Sequence, residues 1–308
     1  MNAGTQNAHG DTRGRPLRYE GMKLPRFADA LLRSKTALPA SIVLLLVVAG
    51  ALLAPWIAPH DPGTLGTLDI AKRLRPPCFL TGGSLEYVLG TDSLGRDILS
   101  RLLYAARISL LVGFAAVALA GSVGVPLGLL AGYLGGWVDD LLMRIADVQL
   151  ALPPMLLAIF LMAVFGAGLG NVIVVLALAS WVGYARVVRG QVLALRGKEF
   201  VEAARAAGAS DLRLMLRHIL PNTMAPVIVI ASFSVANAIM SEAALSFLGL
   251  GVEPTTPTWG GMLADGREYI TDCWWLAAFP GLAILLTVLG INLLGDWLRD
   301  YLDPRLKV

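Results

Sequence analysis

Long stretches of this chain carry no Asp, Glu, Lys or Arg, and they set the limits on any fold it can adopt. A helix needs about 20 apolar residues to cross a hydrocarbon core, and an ionisable group at its centre costs at least about 2.5 kcal/mol. Charge-free windows of that length therefore predict membrane-spanning helices. The first lies between Lys35 and His60, and the second runs from about Ile108 to Ala131. The window from Asp147 to Arg186 is too long for one span and is broken by Gly166-Ala167-Gly168-Leu169-Gly170-Asn171, which predicts two helices in a tight hairpin. A fifth span follows Pro221 and ends near Gly251, and a sixth lies between Asp272 and Asp296. The expected fold class is all-α, a membrane protein of six transmembrane helices. Composition agrees, with 56% hydrophobic and 15% charged residues, against roughly 25% charged in a soluble domain.

Basic residues orient such a bundle, because cytoplasmic loops are enriched in Lys and Arg. With both termini cytoplasmic, eighteen Lys and Arg fall on the inner side and seven on the outer side, so both termini are expected in the cytoplasm. The chain then divides into a cytoplasmic tail over 1–35, a first span with a long outer loop over 36–106, and a five-helix core over 107–298. That core contains a cytoplasmic loop at 187–220, and a cytoplasmic tail follows over 299–308. The tail turns amphipathic at Leu24 to Leu32, which predicts an interfacial helix after a disordered start. Trp56, Trp137, Trp274, Trp275 and Trp297 fall near span ends, where amphipathic rings favour the headgroup layer. The net charge of +3 reports loop topology, and nucleic acid is not expected as a partner.

The cytoplasmic loop holds the most informative local pattern, Glu199-Phe-Val-Glu202-Ala203-Ala204-Arg205-Ala206-Ala207-Gly208, then Ser210-Asp211 and, further on, Arg217-His218-Ile219-Leu220-Pro221. Phe200, Ala203, Ala204 and Ala207 share one face of a short helix, and their small side chains would let another protein approach closely. Gly208 costs about 1 kcal/mol relative to Ala inside a helix, while Ser210 or Asp211 can begin a new one. Two short helices joined at a glycine elbow are expected.

Glu-Ala-Ala, three residues, Gly, then Leu-Pro with the proline thirteen residues after the glycine resembles the EAA loop of ABC-importer permeases. Other segments are similar to the C-type permease subunit of dipeptide and oligopeptide (peptide/nickel family) importers. They are Leu89-Gly90-Thr91-Asp92-Ser93-Leu94-Gly95-Arg96-Asp97, Ala151-Leu152-Pro153-Pro154, Ala244-Leu245-Ser246-Phe247-Leu248-Gly249, Pro257-Thr258-Trp259-Gly260 and the closing Asp303-Pro304-Arg305. One departure is His218, where the pattern has isoleucine, with Ile219 one place later.

The resemblance implies a type I ABC importer permease fold in the bacterial cytoplasmic (inner) membrane. It implies a homologous B-type permease, two cytoplasmic ABC ATPases and an extracytoplasmic substrate-binding protein as partners, besides membrane lipid. The cargo implied is di- or oligopeptide, with nickel or glutathione as alternatives. Glu202, Ala203, Ala204, Ala207, Gly208 and Pro221 would form the ATPase-docking segment. The chain itself is expected to be no enzyme, with no catalytic residue, cofactor or metal, while ATP and Mg are used by its partners. A phosphate loop is missing, since Gly190 to Gly197-Lys198-Glu199 has the wrong spacing and an acid in place of the hydroxyl.

Two other classes fare worse. A secondary transporter predicts several intramembrane ionisable groups in related halves, and an intramembrane enzyme needs a nucleophile with its base, or metal ligands, in the spans. Only Glu242 interrupts a span, and it is expected to line the pathway or meet a second subunit. Pro126 and Pro153-Pro154 are expected to kink their spans so that helices fit together. Cys78 and Cys273 lie on outer segments and are expected to be free thiols. Asp92, Asp97, Asp265 and Glu268, with Arg96 and Arg267, are candidates for contact with a substrate-delivering protein, most of them solvated.

Overall fold

The computed structural model describes residues 24–60 and 72–302. The start of the N-terminal tail and the closing Asp303-Pro304-Arg305 lie outside the described residues. Within them the chain is helical, with no strand and one isolated bridge between Thr91 and Asp97.

Helix α1, Leu24–Arg33, is the amphipathic element expected ahead of the spans. Its Phe27 ring meets Trp297 and Tyr301 edge-on, with centroids 5.0 and 5.4 Å apart, and so seats α1 against the end of the last helix. Helix α2, Ala37–Ile57, has 21 residues and spans about 31 Å at 1.5 Å per residue. Its inner stripe is Ala37, Ala40, Ala51 and Ala54, while Leu45, Leu46 and Leu52 are exposed. Such apolar exposure would be a liability in water and is what a lipid-facing surface requires.

Helix α3, Ile98–Leu134, is the central strut and runs well beyond the span expected at 108–131. Its start is fixed by Asp97, whose carboxylate accepts hydrogen bonds from the Ser100 backbone N–H at 2.8 Å and the Ser100 Oγ at 2.6 Å. Gly124, Gly128 and Gly132, four residues apart, line one face of α3 and receive helix α6, Leu169–Leu195. A Cβ at Gly124 or Gly128 would overlap the carbonyl oxygen of Trp181 or Ala185, and one at Gly132 would lie 2.8 Å from the Val192 Cβ. Only glycine allows these backbones to approach so closely, as in small-residue packing between membrane helices.

The third crossing departs from expectation. Residues 136–165 form helix α4, Gly136–Leu150, and helix α5, Pro154–Phe165, bent 86° from one another. With 12 residues, α5 reaches about 18 Å, short of the roughly 30 Å hydrocarbon core. Among the described residues, five helices are long and apolar enough to cross, and a sixth crossing exists only if the bent pair counts as one. Pro153 and Pro154 therefore do not kink a continuous helix. Pro153 precedes α5 and Pro154 opens it, where a missing N–H costs nothing.

The glycine hairpin is present: α5 stops at Gly166, whose φ is 81°, and α6 starts after Gly168. Asn171 Nδ2 donates to the carbonyls of Phe165 and Gly166 at 3.0 and 3.1 Å, which closes the end of α5. Helix α4 is held on α6 by an Asp139–Arg189 pair at 2.5 and 2.6 Å and by Asp147 with Arg186.

Helix α7, Glu199–Ala206, is followed by a single turn α8, Asp211–Arg213, and a wide π turn, Leu214–Ile219. The π turn leads into α9, Leu220–Phe247; α10, Trp259–Gly266, and α11, Trp275–Leu302, complete the bundle. Trp275 packs in the core. Cys78 and Cys273 are free thiols, half-buried and buried. Alkylation followed by mass spectrometry without reductant should find both modified, Cys273 only after unfolding; a linked Cys78–Cys273 peptide would contradict this arrangement.

Candidate functional site

The two ends of α3 mark the two ends of the molecule. Its last turn meets the α7 segment, and its first turn meets the loop at 72–97 and α10.

At the α7 end, Glu199 and Glu202 occupy the first turn and Arg205 the last, each sign opposite to the helix dipole beside it. Val201 is fully buried and anchors α7 in a cluster with Val192, Leu214, Met215 and Ile219. The opposite side is open: Glu202, Ala203 and Ala207 are exposed and Phe200 is 43% exposed. Of the expected alanine face, Ala204 turns partly inward against the cluster. Gly208 has φ +85° and its surroundings are empty, so the left-handed backbone alone demands glycine. The Gly208 and Ala209 N–H groups return to the carbonyls of Arg205 and Ala204 at 3.0 and 3.1 Å and end the helix.

Past the elbow, Ser210 is extended and precedes α8 without a side-chain cap, while the Asp211 carboxylate accepts the Tyr133 hydroxyl at 2.5 Å. The second short helix does not end before the next span; the π turn carries it straight into α9. That turn gives the buried position to Ile219 and leaves His218 partly exposed. Pro221 lies in the first turn of α9, and Asn222 and Thr223 side chains donate to the carbonyls of His218 and Leu220 at 2.6 and 2.8 Å. The structure therefore gathers Glu202, Ala203, Ala207 and Gly208 on one exposed surface, with Ala204 at its edge and Pro221 at its base. Val201 and Tyr133 were missed, since burial and a contact 78 residues away leave no local signal.

Glu242 belongs elsewhere. It is 0% exposed, with Ser109 Oγ and Ser246 Oγ donating to its two oxygens at 3.1 and 2.7 Å. It joins α3 to α9 inside this one chain. In this structure its surroundings are this chain's own, and the cost of a carboxylate is met internally by hydroxyls.

The outer-loop charges are also not mostly solvated. Asp92 and Asp97 are buried, and so is Arg101. Asp92 accepts from the N–H groups of Leu94 and Arg96 at 2.8 and 2.9 Å and from Arg96 Nε at 2.7 Å, and it pairs with Arg101. Arg101 also reaches Asp265 of α10 at 3.1 Å, so the loop is clasped to α10. Arg267 and Glu268 are exposed; the Arg267 guanidinium lies over the Phe247 ring at 5.6 Å. Among the described residues, no group of three or more His, Cys, Asp or Glu is placed to hold a metal ion.

Comparison with known proteins fits this geometry. Residues 124–308 match the family described as binding-protein-dependent transport system inner membrane component, and residues 26–77 match the N-terminal TM domain of oligopeptide transport permease C. A di/tripeptide transport system permease protein of Pseudomonas aeruginosa is 48% identical over 92% of this chain and 93% of its own length. A glutathione transport system permease protein of Escherichia coli is 46% identical over 89% and 88%. Among solved structures, an inward-facing MetNI methionine ABC transporter chain superposes with a TM-score of 0.51 at 18% identity, over 66% of this chain and 96% of that one, a likeness of fold.

Proposed function

The chain belongs to the binding-protein-dependent transport system inner membrane components, and from that premise we propose that it forms half of a pathway for di- or oligopeptides, driven by ATPases that seat on α7. It is a multi-pass permease subunit of an ABC importer in the bacterial inner membrane.

A homologous permease supplies the other half of the pathway. An extracytoplasmic binding protein delivers cargo at the α10 end, and two ATPase subunits bind ATP and Mg at the α7 end. Both termini lie in the cytoplasm, a reading supported by the basic-residue asymmetry and by the packing of α1 against the end of α11. The chain performs no covalent chemistry; it changes shape. Peptide cargo is supported by the di/tripeptide relative, and the glutathione relative favours a modified tripeptide as the second reading.

The observation that carries the docking role is the exposed face of Phe200, Ala203 and Ala207 beside an elbow whose backbone only glycine tolerates. ATPases closing together push this face, and the buried Val201 and the continuous π turn pass the movement to α9. Gly208→Val places a β-branched residue in a left-handed conformation at a cost of about 1–2 kcal/mol, and Glu202→Lys reverses charge on the docking face. In the co-expressed complex, each should lower uptake at least about tenfold and weaken co-purification of the ATPases, with membrane insertion intact. Normal uptake in both variants would sink the docking role.

A further inference from the structure

Tyr133 stands on the last turn of α3, and its hydroxyl reaches the elbow. It donates to Asp211 Oδ1 at 2.5 Å, on the arm leaving Gly208. On the arm entering Gly208, the phenol of Tyr133 holds the Arg205 guanidinium pKa above its ordinary value. The hinge between the two arms has no neighbour within 4 Å of a Cβ at Gly208, so no side chain packs against it there.

The phenol is in turn rooted in a stiff base. The neighbouring Gly132 carbonyl accepts from Arg196 at 3.2 Å, at the end of α6, and Gly132 itself meets Val192 too closely for any side chain. Arg189, on α6, is paired with Asp139 just beyond the α3 end. The cytoplasmic ends of α3 and α6 are thereby one body, and Tyr133 is its polar contact to the elbow.

We propose that Tyr133 is the positioning residue that converts displacement of the α7 elbow into movement of the α3–α6 pair, by holding Asp211 to the end of α3. The proposal rests on the docking reading above and adds the route by which the push leaves the elbow. Val201 and Ala204 hold α7 in place through apolar contacts, so the hydroxyl is not needed for the elbow to fold or to present its outer face. Its loss should uncouple the machine without dismantling it.

The test is Tyr133→Phe in the full complex reconstituted in vesicles with its binding protein and a radiolabelled dipeptide, measuring both ATP hydrolysis and uptake. ATPase co-purification should match wild type and hydrolysis should stay within about twofold. Peptide taken up per ATP should fall about tenfold, the scale of a hydrogen bond to a charged group. Asp211→Ala should reproduce the loss, and the double variant should be no worse than either single one. An unchanged uptake per ATP in Tyr133→Phe overturns the proposal. So does an equal fall in hydrolysis and uptake with loss of bound ATPase, since the hydroxyl would then serve docking itself. Normal ATPase association and uptake in Gly208→Val would instead remove the docking reading, and the Tyr133 data would not be needed to see it.

Discussion

A Gly128→Val chain should fail to accumulate as a folded membrane protein. The new Cβ would overlap the Ala185 carbonyl oxygen and lie against the Ala185 Cα. These are backbone atoms of a packed helix, and they cannot rotate away as a side chain would. Over-packing of this kind costs about 1–3 kcal/mol where side chains can yield, and at least about 3 kcal/mol is expected where they cannot. Gly121→Ala, two turns earlier on the same helix, is the control. Its Cβ would rest 3.8 Å from the Tyr184 ring in ordinary contact, and the gain in helix propensity favours it by up to about 1 kcal/mol. Detergent extraction followed by size-exclusion chromatography and thermal melting separates the two. A monodisperse Gly128→Val complex melting like wild type would show that α3 and α6 are not locked by that glycine.

Asp92→Ala should be the most damaging change at the opposite end. Arg101 is 4% exposed, and without Asp92 its remaining partner is the exposed Asp265. Breaking a buried pair from one side costs about 3–5 kcal/mol, most of it the stranded charge. The loop at 72–97 should then detach from α10, read as rapid proteolysis of that loop in membrane vesicles. Asp92→Ala with Arg101→Met removes both charges and should recover most of the lost stability. Equal damage in the single and double variants would mean that the turn built by Asp92 on the Leu94 and Arg96 N–H groups matters more than the ion pair.

The sequence made the crossings legible because lipid punishes charge so heavily that its absence alone marks a span. The glycine hairpin at 166–168, the amphipathic α1 and the elbow at Gly208 were equally legible, since each depends on residues adjacent in the chain. What escaped depended on distance. Asp92 and Asp265 read as loop charges because nothing local says that Arg101 lies between them. Glu242 read as a pathway residue because intramembrane cost is visible in sequence, while one of the two hydroxyls that offset it, Ser109, is supplied by another helix. The bend at Pro153 was half legible: two prolines announced a disturbance, but only the structure shows that they separate two helices.

The widened turn at 214–219 has a consequence for how this part of the chain can change in length. An ordinary helix advances 100° per residue, so losing one residue would rotate all that follows and turn Glu242 and Ser246 away from Ser109. Here the surplus residue is already stored in the turn. A single deletion there can be taken up by tightening it to regular α geometry, leaving the downstream register untouched. Descendants of this chain can therefore gain or lose a residue between elbow and span while every inward-facing atom of α9 keeps its address.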